Sequence, residues 1–442
     1  MTSDNAVIRR PPGIADAVEL NADDETLAEF LRLRDRFGNI VAMKSARGRE
    51  VYFVNEPRAI QRVLVRDHEK YVKGPGFERV KLLLGNGIFV SDGAHWRRAR
   101  RMAQPGFTRR KLRGLMDLII ERVEVRATEW EQKAEDGRSI DITTEMSDFA
   151  LELILRAIFG PDYDERIIAG GENPFAFLAE EFSRDINLVV KFRALRNFIL
   201  EIIEERRHRD TSESFDFLSV YMSAVDKAGE PFSNRELLDE VMTLIIAGFE
   251  TSAGTLNWAW YLIATHPDVA ARIVAEAERV LNDTASLSSE SLSELTYLEQ
   301  VINETMRLYP PGWVFSRRAL EDTDIGDFDV AEGTDLYMSP YILHRTEDFW
   351  ERPDEFDPER FSAKNFDTEQ EAAFIPFSLG PRRCIGEYFA MLEMKINLAL
   401  LVPRFEMRAV SDVEPTLDLG INLRSKGSIL LNVRRVSSDR TP

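Results

Sequence analysis

The 442-residue chain contains one cysteine, Cys384, and five histidines. A lone cysteine cannot form an internal disulfide. Nor can it supply an iron–sulfur cluster or the Cys-x-x-Cys-His attachment of covalent haem. His68, His95, His208, His266 and His344 never stand at metal-ligand spacing, which argues against a zinc site. Basic charge is scarce: 57 Lys+Arg against 76 Asp+Glu leave a formal charge of −19, the wrong sign for a general nucleic-acid binder. No stretch has the long, charge-free apolar run of a membrane span. Met1 to Arg10, with Asp4, Arg9 and Arg10, reads as neither signal peptide nor anchor. A soluble, cytoplasmic protein is the expectation, and the lack of paired cysteines fits a reducing compartment.

Also missing are repeats, low-complexity tracts and any Gly/Ser-rich linker. One domain over residues 1–442 is expected, with residues 1–13 a flexible N-terminal segment. Asn39–Lys44 and Glu50–Val54 read as a hairpin. Helical patterns dominate from Arg58 to about Val280, and strand signals return at Asp327–Tyr337 and after Pro403. The fold class is mainly α with small β-sheets near the two ends. The longest predicted helix opens at Ser233, where Ser233-Asn-Arg-Glu236 is a capping box, and stops at His266-Pro267. Leu244–Phe249 in its middle is apolar on nearly every face, so burial is expected there.

What is present centres on Phe377-Ser-Leu-Gly380-Pro-Arg382-Arg383-Cys384-Ile385-Gly386. Three roles are open to the cysteine: a buried spectator, a nucleophile, or a single thiolate ligand to one metal centre. Its surroundings favour the third. A helix is predicted to begin just after Cys384, so its N-terminal amides favour an anion, and Arg382 and Arg383 add positive charge. Gly380 and Gly386 let the backbone pass near a bulky group or adopt positive φ. The predicted long helix holds a second oddity, Ala247-Gly248-Phe249-Glu250-Thr251. Glycine costs roughly 1 kcal/mol inside a helix, and an unpaired buried carboxylate costs more.

Phe-x-x-Gly-x-Arg-x-Cys-x-Gly, continued by Ala390, resembles the haem-binding signature of the cytochrome P-450 superfamily. Ala247–Thr251 resembles that family's oxygen-activation motif. Glu304-Thr-Met-Arg307, followed by Arg360, resembles its buried charge network, and Trp96 with Arg100 its Trp-x-x-x-Arg propionate site. The four motifs occur in the family's order. The resemblance implies the P-450 fold, with a long central helix over a buried haem. It implies haem b with Cys384 as the thiolate axial ligand, and O2 as co-substrate. His95, Trp96, Arg100, Arg317, Phe377, Arg382, Gly386 and Ala390 would contact the haem. Glu250 and Thr251 would deliver protons for oxygen activation, and Gly248 would let the helix deform to admit dioxygen. Glu304, Arg307 and Arg360 would be structural.

By the same resemblance, Phe89, Ala247, Gly248, Val314, Phe315 and Ile421 line the substrate side. Their apolar character implies a hydrophobic substrate: a terpenoid, fatty acid, macrolide or aromatic xenobiotic. Phe175–Ile203, rich in Phe and Leu, would form a mobile lid. Residues 97–113 carry eight Arg or Lys and no acid, a docking face for an acidic electron carrier. With no fused reductase expected, electrons would come from NAD(P)H through a ferredoxin or flavodoxin and its reductase. The reading is a haem-thiolate monooxygenase of the soluble bacterial type. A peroxide-driven peroxygenase or isomerase ranks below it, because such relatives tend to lose the Glu–Thr pair. A non-enzymatic haem sensor ranks lower still, for want of a partner module.

Overall fold

The computed structural model describes residues 9–171, 173–179, 187–209, 215–281 and 287–436. The chain makes two compact units, each assembled from several stretches. The first takes Met1–Arg79, Met306–Cys384 and Leu417–Arg424; the second takes Val80–Thr305, Ile385–Thr416 and Ser425–Pro442. Two of the boundaries fall inside the helices Phe77–Leu84 and Thr296–Leu308. No change of composition marks such a boundary, so no linker was there to be read.

The first unit is built on a six-stranded sheet. Its strands are β1 (Gly13–Val18), β2 (Ile40–Ser45), β3 (Glu50–Val54), β4 (Tyr71–Lys73), β5 (Phe315–Ala319) and β6 (Asp335–Met338), in the spatial order β1-β2-β3-β6-β5-β4. The expected hairpin is β2–β3, antiparallel in the register Ile40↔Val54 to Lys44↔Glu50. Val51, Tyr52, Phe53 and Val54 are all buried, so both faces of β3 are covered. Residues 1–8 lie outside the described residues. The rest of the N-terminal segment is tied down: Arg9 pairs with Asp329, Arg10 with Glu50, and Pro12 O accepts from Ala42 N at 2.9 Å.

The second unit is helical. Its main helices here are α1 (Gly93–Ala103), α2 (Met116–Glu135), α3 (Ile142–Phe159), α4 (Asn187–Arg207), α5 (Asn234–Thr265), α6 (Thr296–Leu308, whose last turn enters the first unit) and α7 (Glu387–Leu401). α5 is the expected long helix, 32 residues and therefore about 48 Å long. Its capping box is formed: Glu236 N donates to Ser233 Oγ at 3.3 Å and Ser233 N to Glu236 Oε2 at 2.8 Å. Around it, Trp130 meets Trp260 edge-on at 5.2 Å, and the Trp130 indole N–H donates to buried Glu145. Three strands, Ser139–Asp141, Phe405–Ala409 and Leu430–Arg435, pair antiparallel beside the helices.

One expectation changes. Leu244, Ile245 and Phe249 are buried, but Ala247 is exposed and Gly248 and Glu250 are half-buried, so among the described residues that face of the apolar middle of α5 is only partly covered. In the expected lid, residues 180–186 lie outside the described residues. Elsewhere in it Phe175 is fully buried against Phe159, and Phe192, Leu195 and Ile199 are buried along α4.

Ser233→Ala removes the N-terminal cap of α5. It is expected to cost about 1 kcal/mol, read as a lower urea midpoint with an unchanged slope.

Candidate active site

The cysteine segment forms a closed loop. Cys384 N donates to Phe377 O at 2.9 Å, Arg383 N to Gly380 O at 3.0 Å, and Ser378 N to Ile375 O at 3.0 Å. Ser378 has φ 61°, unusual for a residue with a Cβ. Gly380 has φ 69°, and a Cβ there would overlap the Leu64 carbonyl. Glycine at 380 thus answers both a positive φ and a close approach, the approach being to backbone. Gly386 differs from expectation: its φ is −88°, so any need for glycine there is spatial and not conformational. It is the N-cap of α7, which starts three residues after the cysteine, and Ala390 N donates back to Gly386 O at 2.9 Å. Cys384 itself is exposed, which removes the buried-spectator reading.

In the same unit Arg317 is buried on β5, its Nη1 donating to Ser316 O at 2.8 Å and its guanidinium over the Phe315 ring at 5.4 Å. Arg382, at the end of the short Gly380–Arg382 turn, is half-buried. Val314 and Phe315 are half-buried, and Ile421 is 54% exposed. The segment 420–421 is brought to Val314 by two bonds, Trp313 Nε1 to Gly420 O at 2.9 Å and Leu423 N to Pro311 O at 2.8 Å. Trp313, just before Val314, is fully buried with its N–H used in that tie.

In the second unit Trp96 and Arg100 stand one turn apart on α1 and line an open pocket of about 360 Å³ with Arg97, Arg101, Gln104 and Pro105. His95, next to Trp96, donates through Nε2 to Asn86 O at 3.0 Å. On α5, Thr251 Oγ1 donates to Ala247 O at 2.8 Å. Such back-bonding loosens a helix locally. Gly248 has an evident packing reason: a Cβ there would come within 2.9 Å of Ile154 on α3. Helix α5 is continuous α through this turn, and close contact with α3 gives glycine a packing reason there. Phe89 is 36% exposed, at the end of a loop whose Gly87 lies against Thr243, one turn before Ala247.

Glu304 and Arg307 are both fully buried on α6, and Arg360 nearly so. Arg307 donates to the carbonyls of His344, Pro353 and Glu355 at 2.7, 2.6 and 3.1 Å. Arg360 donates to the carbonyls of Glu351 and Arg352. The two guanidiniums thus satisfy the irregular segment 344–355, where backbone carbonyls lack secondary-structure partners.

Sequence reasoning missed several buried ionisable groups, His344 and Glu393 among them. Burial, with Arg307 and Arg345 nearby, pushes His344 down to about 3, and its Nε2 accepts from Ile375 N at 2.9 Å. Burial pushes Glu393 on α7 up to about 8, against a hydrogen bond with Ser252, the residue after Thr251. Its signal was a lone carboxyl within the apolar run Phe389–Leu401.

The exposed thiol in the hydrogen-bonded loop of the first unit and, separately, the indole and arginine that line an open pocket of the second are each groups that suit a metal macrocycle carrying carboxylates. The cytochrome P450 family profile matches residues 12–168 and 172–431. The chain belongs to the cytochrome P450 family. It is 31% identical over 399 residues to cyclooctatin synthase of Streptomyces melanosporofaciens, covering 86% of each chain. To cyclooctat-9-en-7-ol 5-monooxygenase of the same organism it is 29% identical, over 86% of this chain and 85% of the relative. The fold matches the crystal structure of a cytochrome P450 (CYP102L1) with TM-score 0.84 at 24% identity, over 97% and 100% of the two chains. The protein is a cytochrome P450 monooxygenase, mainly α with small sheets, of a family that uses haem with cysteine-thiolate ligation and O2. Among the described residues no helix is long and apolar enough to cross a membrane.

Glu393 is neutral in the folded protein from about pH 4.5 to about 8, where the unfolded chain is ionised. The folded state then binds the extra proton, so stability falls as pH rises through that window. Glu393→Gln is expected to gain about 3 kcal/mol at pH 7 and under about 1 kcal/mol at pH 5, measured by urea unfolding.

Proposed function

We propose that this P450 inserts one oxygen atom from O2 into a C–H bond of a hydrophobic terpenoid-type molecule, with Cys384 as axial ligand to haem b. The exposed cysteine in a hydrogen-bonded loop carries the reading, since an exposed thiol is one a metal can reach. Trp96, Arg100, Arg317 and Arg382 would hold the propionates: guanidinium pairs with carboxylate, and the indole supplies an N–H. Phe377, Gly386 and Ala390 would lie against the macrocycle, and His95 would support the Asn86 carbonyl beside it. When bound, the haem supplies oxygen activation, and thiolate donation favours O–O cleavage.

The chain's own part is proton handling and exclusion of water. Thr251 Oγ1 already donates to Ala247 O and is the atom from which a proton is passed. Glu250, half-buried on the preceding residue, renews it from solvent. Two protons and two electrons take the second oxygen atom away as water. The presence of both Glu250 and Thr251 favours this over peroxide-driven chemistry. Phe89, Ala247, Gly248, Val314, Phe315 and Ile421 would form the apolar wall. A relative named for oxidising cyclooctat-9-en-7-ol supports the substrate class.

Electrons would arrive from NAD(P)H through a separate ferredoxin or flavodoxin. The basic stretch supports this: Arg97, Arg101, Arg109, Arg110, Lys111 and Arg113 are exposed. Arg98 leaves the set, because it is paired with Asp226 and Glu236 at 2.7 Å each.

The reduced protein with carbon monoxide is expected to show the red-shifted main band of thiolate-bound haem, and Cys384→Ser to lose it. A band that survives in Cys384→Ser overturns the ligand assignment. Reduction by an acidic ferredoxin is expected to slow as ionic strength rises past about 0.1 M, where exposed charges are screened beyond ~10 Å. A flat salt response counts against the docking face.

A further inference from the structure

We propose that Arg196, Asp239 and Glu240 are positioning residues for the substrate side: they grip the 84–88 backbone and thereby set where Phe89 stands. This rests on the reading of Phe89 as a substrate-wall residue of a haem enzyme.

The grip is built from three helices of the second unit. From α5, Asp239 Oδ2 accepts from Asn86 N at 2.9 Å and Glu240 Oε2 accepts from Ile88 N at 3.1 Å. From α4, Arg196 donates through Nη1 to Leu84 O at 3.3 Å and through Nη2 to Asp239 Oδ1 at 2.8 Å. From α1, His95 donates to Asn86 O at 3.0 Å. Four successive polar anchor points on the loop are thus held by side chains from outside it. Contact is close as well as polar. A Cβ at Gly85 would overlap the Asp239 carboxyl, and one at Gly87 would overlap Thr243 Oγ1 and the Asp239 carbonyl. Only glycine allows the loop to lie this flat on α5, with Gly85 at φ 83°.

Val90 N and Ser91 N donate to Gly87 O at 3.1 and 3.0 Å, which forms the turn that presents Phe89. The carboxyl pair on α5 holds the backbone from which that turn starts. Arg196 makes the placement depend on α4 too, since one guanidinium holds both the loop carbonyl and Asp239. Glu240 sits beside Asp239, almost wholly buried, and burial pushes it up to about 8; a neutral carboxyl beside the ion pair spares the site a second buried charge. A merely structural ion pair would hold helix to helix; this one holds two helices to the loop that carries a wall residue.

The test uses haem-loaded protein and two ferric-haem ligands, imidazole and 4-phenylimidazole, titrated by absorbance. Imidazole probes the metal alone, and the phenyl ring adds contact with the wall. Arg196→Met is expected to leave the imidazole Kd within about twofold and to weaken 4-phenylimidazole about tenfold. Arg196→Lys is expected to restore most of the loss. In a Phe89→Ala background, Arg196→Met is expected to add no further loss, because its effect runs through Phe89. Equal weakening of both probes, or a full additional loss on Phe89→Ala, overturns the proposal. If Arg196→Met does not load haem, Asp239→Asn is read in the same cycle. Wild-type protein that shows no spectral response to imidazole overturns the haem reading itself; a normal wild-type response with unresponsive variants overturns the grip alone.

Discussion

The bond from the Cys384 amide to the Phe377 carbonyl closes the loop on which the chemistry depends. It fixes the distance between the two ends of the signature, and the turn inside it needs two residues at positive φ, Ser378 and Gly380. Strain of that kind, on the order of 1–3 kcal/mol for a non-glycine residue, persists only where the surroundings impose it. Here the surroundings are the Leu64 carbonyl, against which Gly380 lies without room for a side-chain carbon. The sulfur is consequently left accessible on a backbone with little freedom to move. That is the condition for a ligand whose work is electronic: it must stay in place while it donates charge.

The second constraint is the long helix. Most of α5 is buried, and burial is what lets it hold acids whose ionisation is costly. Asp239 is satisfied by Arg196 and by Asn86 N; Glu240, next to it, is kept neutral. Glu393 is kept neutral against Ser252. Each group is a fixed point, since moving the helix there would leave a buried carboxyl without its bond.

Much of this was legible in the sequence, and the exceptions have physical reasons. Ser233 and Glu236 announce the start of α5 through local chemistry, and the end at His266-Pro267 is equally local. Asn39–Lys44 and Glu50–Val54 declare a hairpin because both strands and the turn lie within sixteen residues. The cysteine loop was recognisable because its residues are contiguous. Whether a residue faces core or open space was not legible where apolar character is continuous: Trp313 packs inside, and Ala247 is uncovered. Arg98 looked like a member of a basic face, but its acidic partners lie 128 and 138 positions away. Asp239 and Glu240 passed unnoticed for the same reason. An acidic pair near a helix start reads as a solvated end until the chain that covers it is in place.

The placing of the fixed points bears on how the oxygen-side turn can work. Asp239 and Glu240 anchor α5 two turns before Ala247, and Ser252 anchors it directly after Thr251. Between them, Thr251 Oγ1 draws on the Ala247 carbonyl that the helix ladder also uses. Such a bond weakens the ladder locally, as do those of Thr243 and Thr255 on the same helix. Gly248 cannot be the seat of a larger deformation toward α3, because its missing side chain is already occupied by Ile154. The same N-terminal anchor holds the Phe89 loop. A movement that reached Asp239 would shift the substrate wall together with the proton-handling turn; one that stops short of it would not.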